Sequence, residues 1–363
     1  MNDKKKDKRK RGVAGIMRIK NEEMFIESCI NSCISALDEL IIVYNDCNDR
    51  SVDIIEDMRK KYPDKIKVYS YPYKVLGVEL TAQDYEVAKK LPLDSPQLLS
   101  NYYNFALSKV TCQYAIKIDA DQMYFSDVLN EYCDLCRAEY KHFNMFKVVL
   151  GILFQGYFSL YRFLSMKIKK ITPMMPDWFV CLFSVYYKEF AKWQFLRGKA
   201  CLSFSGINVL EDDRKLYVCM GLKSDIFNIA PPFNGEGDHV LFKVSDQTYY
   251  EPFDMQYYRS LRNTAYALIE IFIHPYRIIP VGFAWLHFNS QRPNFKDKVL
   301  EVKKENPWIF VEIERFLTMS YKNVLKQSDS RVFTLFQRVL FNYVYKAHKS
   351  ELLENIIKTN RWI

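Results

Sequence analysis

Two carboxylates close an apolar stretch of the chain, where IKIDADQMYF (116–125) places Asp119 and Asp121 on either side of one alanine. If a strand continued through them, both side chains would project to the same face, because side chains alternate along a strand. Two like charges held that close raise each other's pKa unless a cation lies between them. Divalent metals of the Mg²⁺ type bind carboxylate oxygens. The pair therefore predicts a divalent cation site.

The elements before this pair alternate between strand and helix. Buried strands are predicted at GVAGIMRI (12–19), ELIIVY (39–44), IKVYSY (66–71) and YAIKI (114–118). Helices are predicted at 25–37, in the segment that ends near Lys61, and at 98–110, where apolar residues recur at helical spacing. This order predicts an α/β fold with a mostly parallel sheet, in which ligands bind at the carboxyl ends of the strands.

Polar clusters follow three of these strands at their carboxyl ends. They are Arg18/Asn21/Glu22, Asn45/Asp46/Asp49 and Asp119/Asp121. Because the carboxyl ends of parallel strands meet at one edge of a sheet, the three clusters are expected to form one site.

Composition describes a globular protein of 363 residues, 49% hydrophobic and 26% charged. That length favours one large domain with appendages, or two domains. The net charge of +9 is concentrated in residues 1–11, which carry seven basic and two acidic side chains. A solvated basic tail is expected there, with contact to an anionic membrane surface as the alternative. The rest of the chain has no basic stripe, so nucleic acid is not an expected partner.

No apolar segment follows the basic start, so no signal peptide is predicted and the chain is expected in the cytoplasm. The longest apolar stretch, 148–161, is interrupted by Gln and Gly and is short for a membrane span. It belongs to a predicted apolar helix with a basic end, 146–170, and the segment 330–349 is amphipathic. Both segments are expected either to pack on the core or to lie on the inner face of the cytoplasmic membrane.

The later chain is less regular. Short strands are predicted at 201–210, 215–221 and 239–244, and LEDDRK (210–215) is predicted to be a hairpin turn. From 255 onward the chain becomes Lys-rich, and mainly helical structure is expected there.

These ordered motifs resemble the nucleotide-sugar-binding half of GT-A glycosyltransferases, and are most similar to glycosyltransferase family 2. IMRIKNEE (16–23) resembles the first strand and its polar clamp, and DELIIVYNDCNDRS (38–51) resembles the second strand and its acidic turn. Asn104, on a helix before the DAD motif, completes the likeness over 1–125. The turn departs from the family pattern because it lacks a glycine and is one residue short.

The resemblance implies a role for each motif. The residues implied to contact the nucleotide are Arg18, Asn21, Glu22, Asn45, Asp46, Asp49, Asn104 and Asp119. Asp119, Asp121 and His287 are implied to support Mn²⁺ or Mg²⁺, with His239 and His274 as weaker candidates. The cation would stabilise the negative charge that develops on the departing nucleoside diphosphate.

An inverting enzyme of this kind also needs a general base to deprotonate the acceptor hydroxyl. The segment FNGEGDHVLF (233–242) is similar to the family's acidic acceptor-side motif. Asp238 is favoured as the base over Glu236, and helix capping by Asp238 is the structural alternative.

The expected organisation is a basic tail (1–11), a nucleotide-sugar-binding half (12–128), an acceptor-side half (129–295) and a C-terminal helical region (296–363). The expected function is transfer of a sugar, of the hexosyltransferase class, from a nucleotide sugar, with a UDP-sugar favoured. The acceptor would be a glycan or a lipid-linked sugar in surface polysaccharide synthesis, such as capsule, O-antigen or lipooligosaccharide.

Two other functions stay open. The first is a sugar nucleotidyltransferase, which the lack of a Gly-rich phosphate loop after the first strand disfavours. The second is a non-catalytic, membrane-associated scaffold with the same fold. A dinucleotide-binding dehydrogenase is not expected, because no GxGxxG follows the first strand.

Overall fold

The computed structural model describes residues 9–138, 142–167, 177–220, 233–234, 237–259, 264–319 and 354. The strands are β1 (Lys10–Ile19), β2 (Glu39–Tyr44), β3 (Ile66–Ser70), β4 (Cys112–Ile118), β5 (Gln122–Tyr124), β6 (Ala200–Asp212), β7 (Lys215–Cys219), β8 (Phe233–Asn234), β9 (Val240–Lys243), β10 (Tyr249–Arg259), β11 (Thr264–Ile273), β12 (Arg277–His287) and β13 (Phe310–Glu312). The α-helices are α1 (Ile26–Cys33), α2 (Ser51–Lys61), α3 (Ala82–Ala88), α4 (Leu99–Ser108), α5 (Ser126–Arg137), α6 (Met145–Lys167), α7 (Asp177–Leu196), α8 (Pro293–Glu305) and α9 (Ile313–Thr318). Asn289–Gln291 and Pro307–Ile309 are short 3₁₀ helices.

The chain divides into two compact units. Unit 1 consists of Met1–Gln122, Ser126–Glu139 and Asp238–Tyr276, and unit 2 of Met123–Phe125, Tyr140–Gly237 and Arg277–Ile363.

Unit 1 contains the parallel sheet that the sequence predicts. Its strands follow the order β3-β2-β1-β4-β9, in which β3, β2, β1 and β4 are parallel and β9 is antiparallel to β4. The predicted α/β class and the four predicted strands are confirmed. β2 and the middle of β1 are buried because they are continuous apolar runs, as expected of strands covered on both faces. The carboxyl ends of β1, β2 and β4 therefore lie side by side.

Glu39 is a buried carboxylate that ties the amino-terminal ends of β2 and β4 together. Its side chain is fully buried and accepts hydrogen bonds from the Thr111 N–H at 2.6 Å, the Thr111 hydroxyl at 2.7 Å and the Cys112 N–H at 2.9 Å. Lys67 pairs with its second oxygen. Burial alone would raise the pKa of Glu39, but the hydrogen bonds from Lys67 and Thr111 outweigh it and lower the pKa.

We expect Glu39→Gln to lower the free energy of unfolding by about 1–3 kcal/mol at neutral pH, because buried donors lose a charged acceptor. Since the pKa of Glu39 is lower in the folded chain, its stabilisation is complete above the unfolded value of about 4.3 and is lost as the pH falls through the folded value. Urea unfolding across this pH range measures the effect. Glu56→Gln on the exposed surface of α2 is the control, and an equal loss in both variants would contradict the prediction.

The structure of the region from 249 to 287 differs from the sequence prediction. Helices were expected after 255, but β10 and β11 form an antiparallel hairpin and β12 is a third strand. TAYALIEIFI and its neighbours are rich in β-branched and aromatic residues, which favour strands. Among the described residues after 255, the first α-helix is α8. The hairpin packs on the α3 side of unit 1, where the ring of Tyr266 stacks on Tyr85 with centroids 4.8 Å apart.

In unit 2, β6 is the central strand. It pairs in parallel with β12 and antiparallel with β7 and β8, while β13 pairs with β7. The predicted turn at LEDDRK is confirmed, since Asp213 and Arg214 join β6 to β7 with φ of 54° and 61°. Gly206 is required by close packing, because a Cβ there would lie 1.9 Å from Nε1 of the buried Trp285.

The predicted apolar helix is confirmed as α6, which packs against α7 in unit 2. Gly151 allows the close approach, since a Cβ there would lie 2.3 Å from the Tyr186 carbonyl oxygen. Away from this contact, large apolar side chains of α6 are exposed, and they include Phe146, Val149, Leu153 and Leu160. Within the part of the chain that the structure describes, no helix combines the length and apolarity needed to cross a bilayer. The amphipathic segment 330–349 lies outside the described residues.

Candidate active site

The two aspartates of the DAD motif lie at different depths. β4 ends at Ile118, and Asp119 begins a turn in which the Gln122 N–H donates to the Asp119 carbonyl oxygen at 3.3 Å. Strand alternation therefore stops before the pair. The Asp119 carboxylate is one-third exposed, whereas Asp121 is 5% exposed. Of the two, Asp119 lies close to Asp238 and His239.

Asp238 reaches Asp119 through the antiparallel pairing of β9 with β4. Tyr114 pairs with Lys243 and Ile116 with Leu241, and continuing this register places Asp238 opposite Asp119. The next residue, His239, is 2% exposed. The strand pairing therefore brings two carboxylates and an imidazole to the carboxyl end of β4.

The three side chains form a candidate metal centre. The His239 Nε2 atom lies 3.3 Å from Asp119 Oδ2 and 3.4 Å from Asp238 Oδ2. One ligand atom from each residue lies within 4.8 Å of the other two. Carboxylate oxygens are the donors that Mg²⁺ and Mn²⁺ prefer, and the imidazole adds a nitrogen donor. The donor set and its spacing fit a divalent cation.

The imidazole of His239 contacts protein groups through both of its ring nitrogens. Its Nδ1 atom lies 3.5 Å from the Lys117 carbonyl oxygen, and its Nε2 atom lies 3.1 Å from the Gln122 amide nitrogen. Burial would lower the pKa of His239, but the charges of Asp119 and Asp238 outweigh it and raise the pKa. A fixed ring that faces two carboxylates is suited to hold a cation between them.

Lys117 is the buried cation of the site. Its side chain is 6% exposed, and its Nζ atom lies 2.8 Å from both Asp238 oxygens, 3.5 Å from Glu270 Oε1 and 3.7 Å from Asp119 Oδ2. Burial opposes the charged lysine, but the carboxylates of Asp119, Asp238 and Glu270 raise its pKa well above the ordinary value. Lys117 in turn lowers the pKa of Asp238 and holds that of Asp119 far below its usual range, against the effect of burial.

Arg18, at the carboxyl end of β1, lies against two tyrosines of α4. Its guanidinium carbon is 3.6 Å from the centroid of the Tyr103 ring and 5.3 Å from that of Tyr102. Arg18 also donates a short hydrogen bond to the Tyr103 hydroxyl. The Tyr250 ring stacks on the Tyr103 ring, with the centroids 4.7 Å apart. A cation held by ring faces keeps hydrogen-bonding capacity for an anionic ligand.

The loops after β1 and β2 are linked by the residues that the sequence singled out. Asn21 Oδ1 accepts from the Asn48 N–H at 2.9 Å, and the Glu22 N–H donates to Ser51 Oγ at 2.7 Å. Asp49 accepts from the Glu23 N–H at 3.1 Å and from the Ser51 N–H at 3.0 Å. Asn21 and Asp46 have φ of 56° and 47°, a region that asparagine and aspartate tolerate.

The two predicted nucleotide-contacting asparagines bind backbone. Asn45 is 2% exposed, and its amide donates to the carbonyl oxygens of Tyr71 and Tyr73 at 2.6 and 2.8 Å. Asn104 exchanges two hydrogen bonds with the Tyr250 backbone, each 2.8 Å long. This geometry favours a positioning role for both, in which Asn45 fixes the loop that exposes Tyr73.

Three further residues were predicted from the sequence to act as a metal ligand or as the general base. His287 belongs to unit 2, where its Nδ1 atom lies 2.6 Å from Asn208 Oδ1 and 2.7 Å from Asn234 Nδ2. Glu236 lies outside the described residues. Asp238 is in the metal cluster and paired with Lys117, and this geometry favours metal binding over the base role predicted from the sequence.

The sequence analysis did not single out Lys117 or Glu270, and it gave His239 only as a weaker metal candidate. Lys117 stands two residues before Asp119, so its place near Asp119 could have been inferred from this short separation in the sequence. His239 directly follows Asp238, which the sequence analysis favoured as the general base. No sequence motif pointed to Glu270, because its segment was expected to be helical.

A family model matches the first part of the chain. Residues 1–175, a little under half of the chain, match the model of a family described as Beta-1,4-N-acetylgalactosaminyltransferase (CgtA). No curated protein matches the chain.

Solved structures are similar over a shorter part. TarS from S. aureus, in complex with UDP, is 18% identical with a TM-score of 0.24, and the match covers 34% of this chain and 31% of that one. Glucosyl-3-phosphoglycerate synthase from Mycobacterium tuberculosis, in complex with Mn²⁺ and UDP-glucose, is 19% identical with a TM-score of 0.20, covering 31% and 34%. The chain thus spans about a third of the length of these structures.

The family match agrees with the likeness to GT-A glycosyltransferases that the sequence motifs carry. The narrower likeness to glycosyltransferase family 2 stays a prediction. Over residues 1–175 the chain is similar to the CgtA family.

Proposed function

We propose that this chain transfers a sugar from a UDP-sugar donor and that the reaction depends on a divalent metal. The observation that carries the proposal is the meeting of Asp119, Asp238 and His239 at the carboxyl end of β4. Ligands bind at this edge of parallel sheets, and the loops after β1 and β2 open on the same edge. A candidate metal site beside this polar edge suits a nucleotide-sugar donor.

Each group in the site has a task in breaking the sugar–phosphate bond. Asp119, Asp238 and His239 would hold Mn²⁺ or Mg²⁺. When bound, the cation would supply charge stabilisation to the departing diphosphate. Arg18 would add a guanidinium donor to the same leaving group, held in place by Tyr103. The loop residues Asn21, Asp46 and Asp49 would border the nucleoside.

The family description supports a choice of donor and stereochemistry. An N-acetylgalactosaminyltransferase that forms a β-1,4 linkage uses UDP-N-acetylgalactosamine, in which the sugar is α-linked to the diphosphate. Formation of a β product from an α donor inverts the anomeric carbon. We therefore propose UDP-N-acetylgalactosamine as the first donor to test and an inverting mechanism. Because Asp238 is paired with Lys117, Glu236 becomes the sequence candidate for the general base.

A donor panel tests this function. Purified protein is incubated with UDP-N-acetylgalactosamine, UDP-N-acetylglucosamine, UDP-glucose or CDP- and GDP-sugars, with Mn²⁺ or with a chelator, and nucleoside diphosphate release is measured. Release from one UDP-sugar that stops with chelator supports the proposal. Release of pyrophosphate from a nucleoside triphosphate and a sugar phosphate would instead identify a nucleotidyltransferase.

The acceptor is proposed to be a lipid-linked glycan in surface polysaccharide synthesis, reached at the inner face of the cytoplasmic membrane. Support comes from α6, which exposes Phe146 and Leu153 at 69% and 62%. The helix contains Lys147, Arg162 and Lys167 and has no acidic residue. An apolar face on a basic helix is suited to lie in the interface of an anionic bilayer.

We expect the double variant Phe146→Ser/Leu153→Ser to bind anionic vesicles about tenfold more weakly, because two apolar side chains no longer enter the interface. Co-sedimentation with phosphatidylglycerol vesicles measures the bound fraction. Leu93→Ser, which changes a 75% exposed leucine in unit 1, is the matched control and should bind like the wild type. If both variants bind vesicles equally, α6 is not the membrane contact.

A further inference from the structure

Lys117 has an unusual position for a lysine beside a metal centre. Its ammonium is within 3.7 Å of Asp119, Asp238 and Glu270, and 5.2 Å from the centroid of the Tyr103 ring. A lysine that is 5% exposed is tolerated only when it is paired, and three carboxylates provide that pairing.

The oxygens that face His239 also face Lys117. Asp119 Oδ2 lies 3.3 Å from the imidazole nitrogen and 3.7 Å from the ammonium. Asp238 Oδ2 lies 3.4 Å from the same ring nitrogen and 2.8 Å from the ammonium. A cation bound between these carboxylates and His239 must therefore share both with a positive charge already present. Like charges a few ångströms apart in a buried site repel strongly.

The charge balance changes when a nucleoside diphosphate enters. Asp119, Asp238 and Glu270 carry three negative charges, and they are opposed by Lys117 and by Arg18, whose guanidinium the charges of Glu270 and Asp119 stabilise. A divalent cation therefore leaves the site with a surplus of one positive charge. A diphosphate supplies negative charges that offset that surplus. Metal and diphosphate should then bind better together than either does alone, which is a coupling between two ligands.

We propose that Lys117 is a positioning residue that makes metal binding conditional on the donor: it stands in for the metal in the carboxylate cluster, weakens binding of the free cation, and so couples the cation to the diphosphate. This inference rests on the proposed function of the same site. Lys117 also holds Asp238 by both oxygens, which keeps that carboxylate aimed at the cluster.

Mn²⁺ affinity, measured by electron paramagnetic resonance with and without UDP, tests the inference. In the wild type, UDP should tighten Mn²⁺ binding. Lys117→Met removes the competing charge, so Mn²⁺ alone should bind about tenfold more tightly or better, and the tightening by UDP should shrink by a similar factor. Lys117→Arg keeps the charge and should behave like the wild type.

A negative result can contradict either the metal-dependent function or the role of Lys117, and the variants distinguish the two. A wild type that binds no Mn²⁺ under either condition contradicts the metal-dependent function itself. A wild type that binds Mn²⁺ with UDP, beside a Lys117→Met variant whose affinity for Mn²⁺ alone is unchanged or weaker, overturns the role of Lys117 only. Lys117→Gln is measured in parallel in case the methionine variant does not fold. Its Mn²⁺ affinity without UDP is expected to rise as well, and an unchanged value there overturns the inference equally.

Discussion

Replacing Asp119 by asparagine should abolish Mn²⁺-dependent binding of UDP and lower the rate of sugar transfer by about 10²–10³-fold, the usual effect of losing one group that stabilises the leaving-group charge. Asp119 Oδ2 is the oxygen that faces both His239 and Lys117. The amide keeps the size of the side chain but removes its charge, so the cluster loses a metal ligand and Lys117 loses a partner. Release of UDP from the donor is the measurement.

A neutralised aspartate elsewhere in unit 1 provides the control for Asp119→Asn. Asp57→Asn on α2 removes a carboxylate that is 75% exposed and paired with a neighbouring lysine at the surface. Its transfer rate should equal that of the wild type. If Asp119→Asn retains full activity and Mn²⁺ dependence, the cluster at the end of β4 is not the metal site.

Asp238→Asn should weaken Mn²⁺ binding as well as transfer, again by about 10²–10³-fold in rate. The reason is its place in the cluster, within 3.4 Å of His239 and 2.8 Å of Lys117. Lys117 lowers the pKa of Asp238, which makes this carboxylate a poorer proton acceptor. A ligand role therefore fits the geometry better than the base role.

Two measurements on Asp238→Asn separate these roles. Mn²⁺ affinity in the presence of UDP reports the ligand role, and the transfer rate at saturating Mn²⁺ reports the chemistry. We expect lower affinity and partial recovery of the rate at high Mn²⁺. Unchanged Mn²⁺ affinity with a lost rate would instead make Asp238 the general base, as the sequence motif first suggested.

The strands that carry the site were predictable because their signals are local. β1, β2 and β4 are continuous apolar runs that end in polar residues, and the βα alternation places their carboxyl ends side by side. From the sequence alone, Arg18, Asn21 and Asp49 could thus be assigned to one edge. The burial of Asp121 could not be predicted, because it depends on the exact residue at which β4 ends.

The other half of the cluster depends on contacts that are distant in the sequence. Lys117 and Asp238 are 121 positions apart, and only the antiparallel pairing of β9 with β4 brings them together. Such a register is set by packing of the whole sheet and has no short sequence signature. Glu270 was not identified for a second reason. The composition after 255 suggested helices, whereas the local residues favour the β10–β11 hairpin.

Isothermal titration of the wild-type chain with UDP, once with Mn²⁺ and once with a chelator, examines the metal-dependent donor site. We predict clear UDP binding with Mn²⁺ and a loss of about tenfold or more in affinity with chelator, because the cation links the diphosphate to Asp119, Asp238 and His239. Equal UDP affinity in both titrations, or no binding in either, would contradict a metal-dependent UDP-sugar site in this protein.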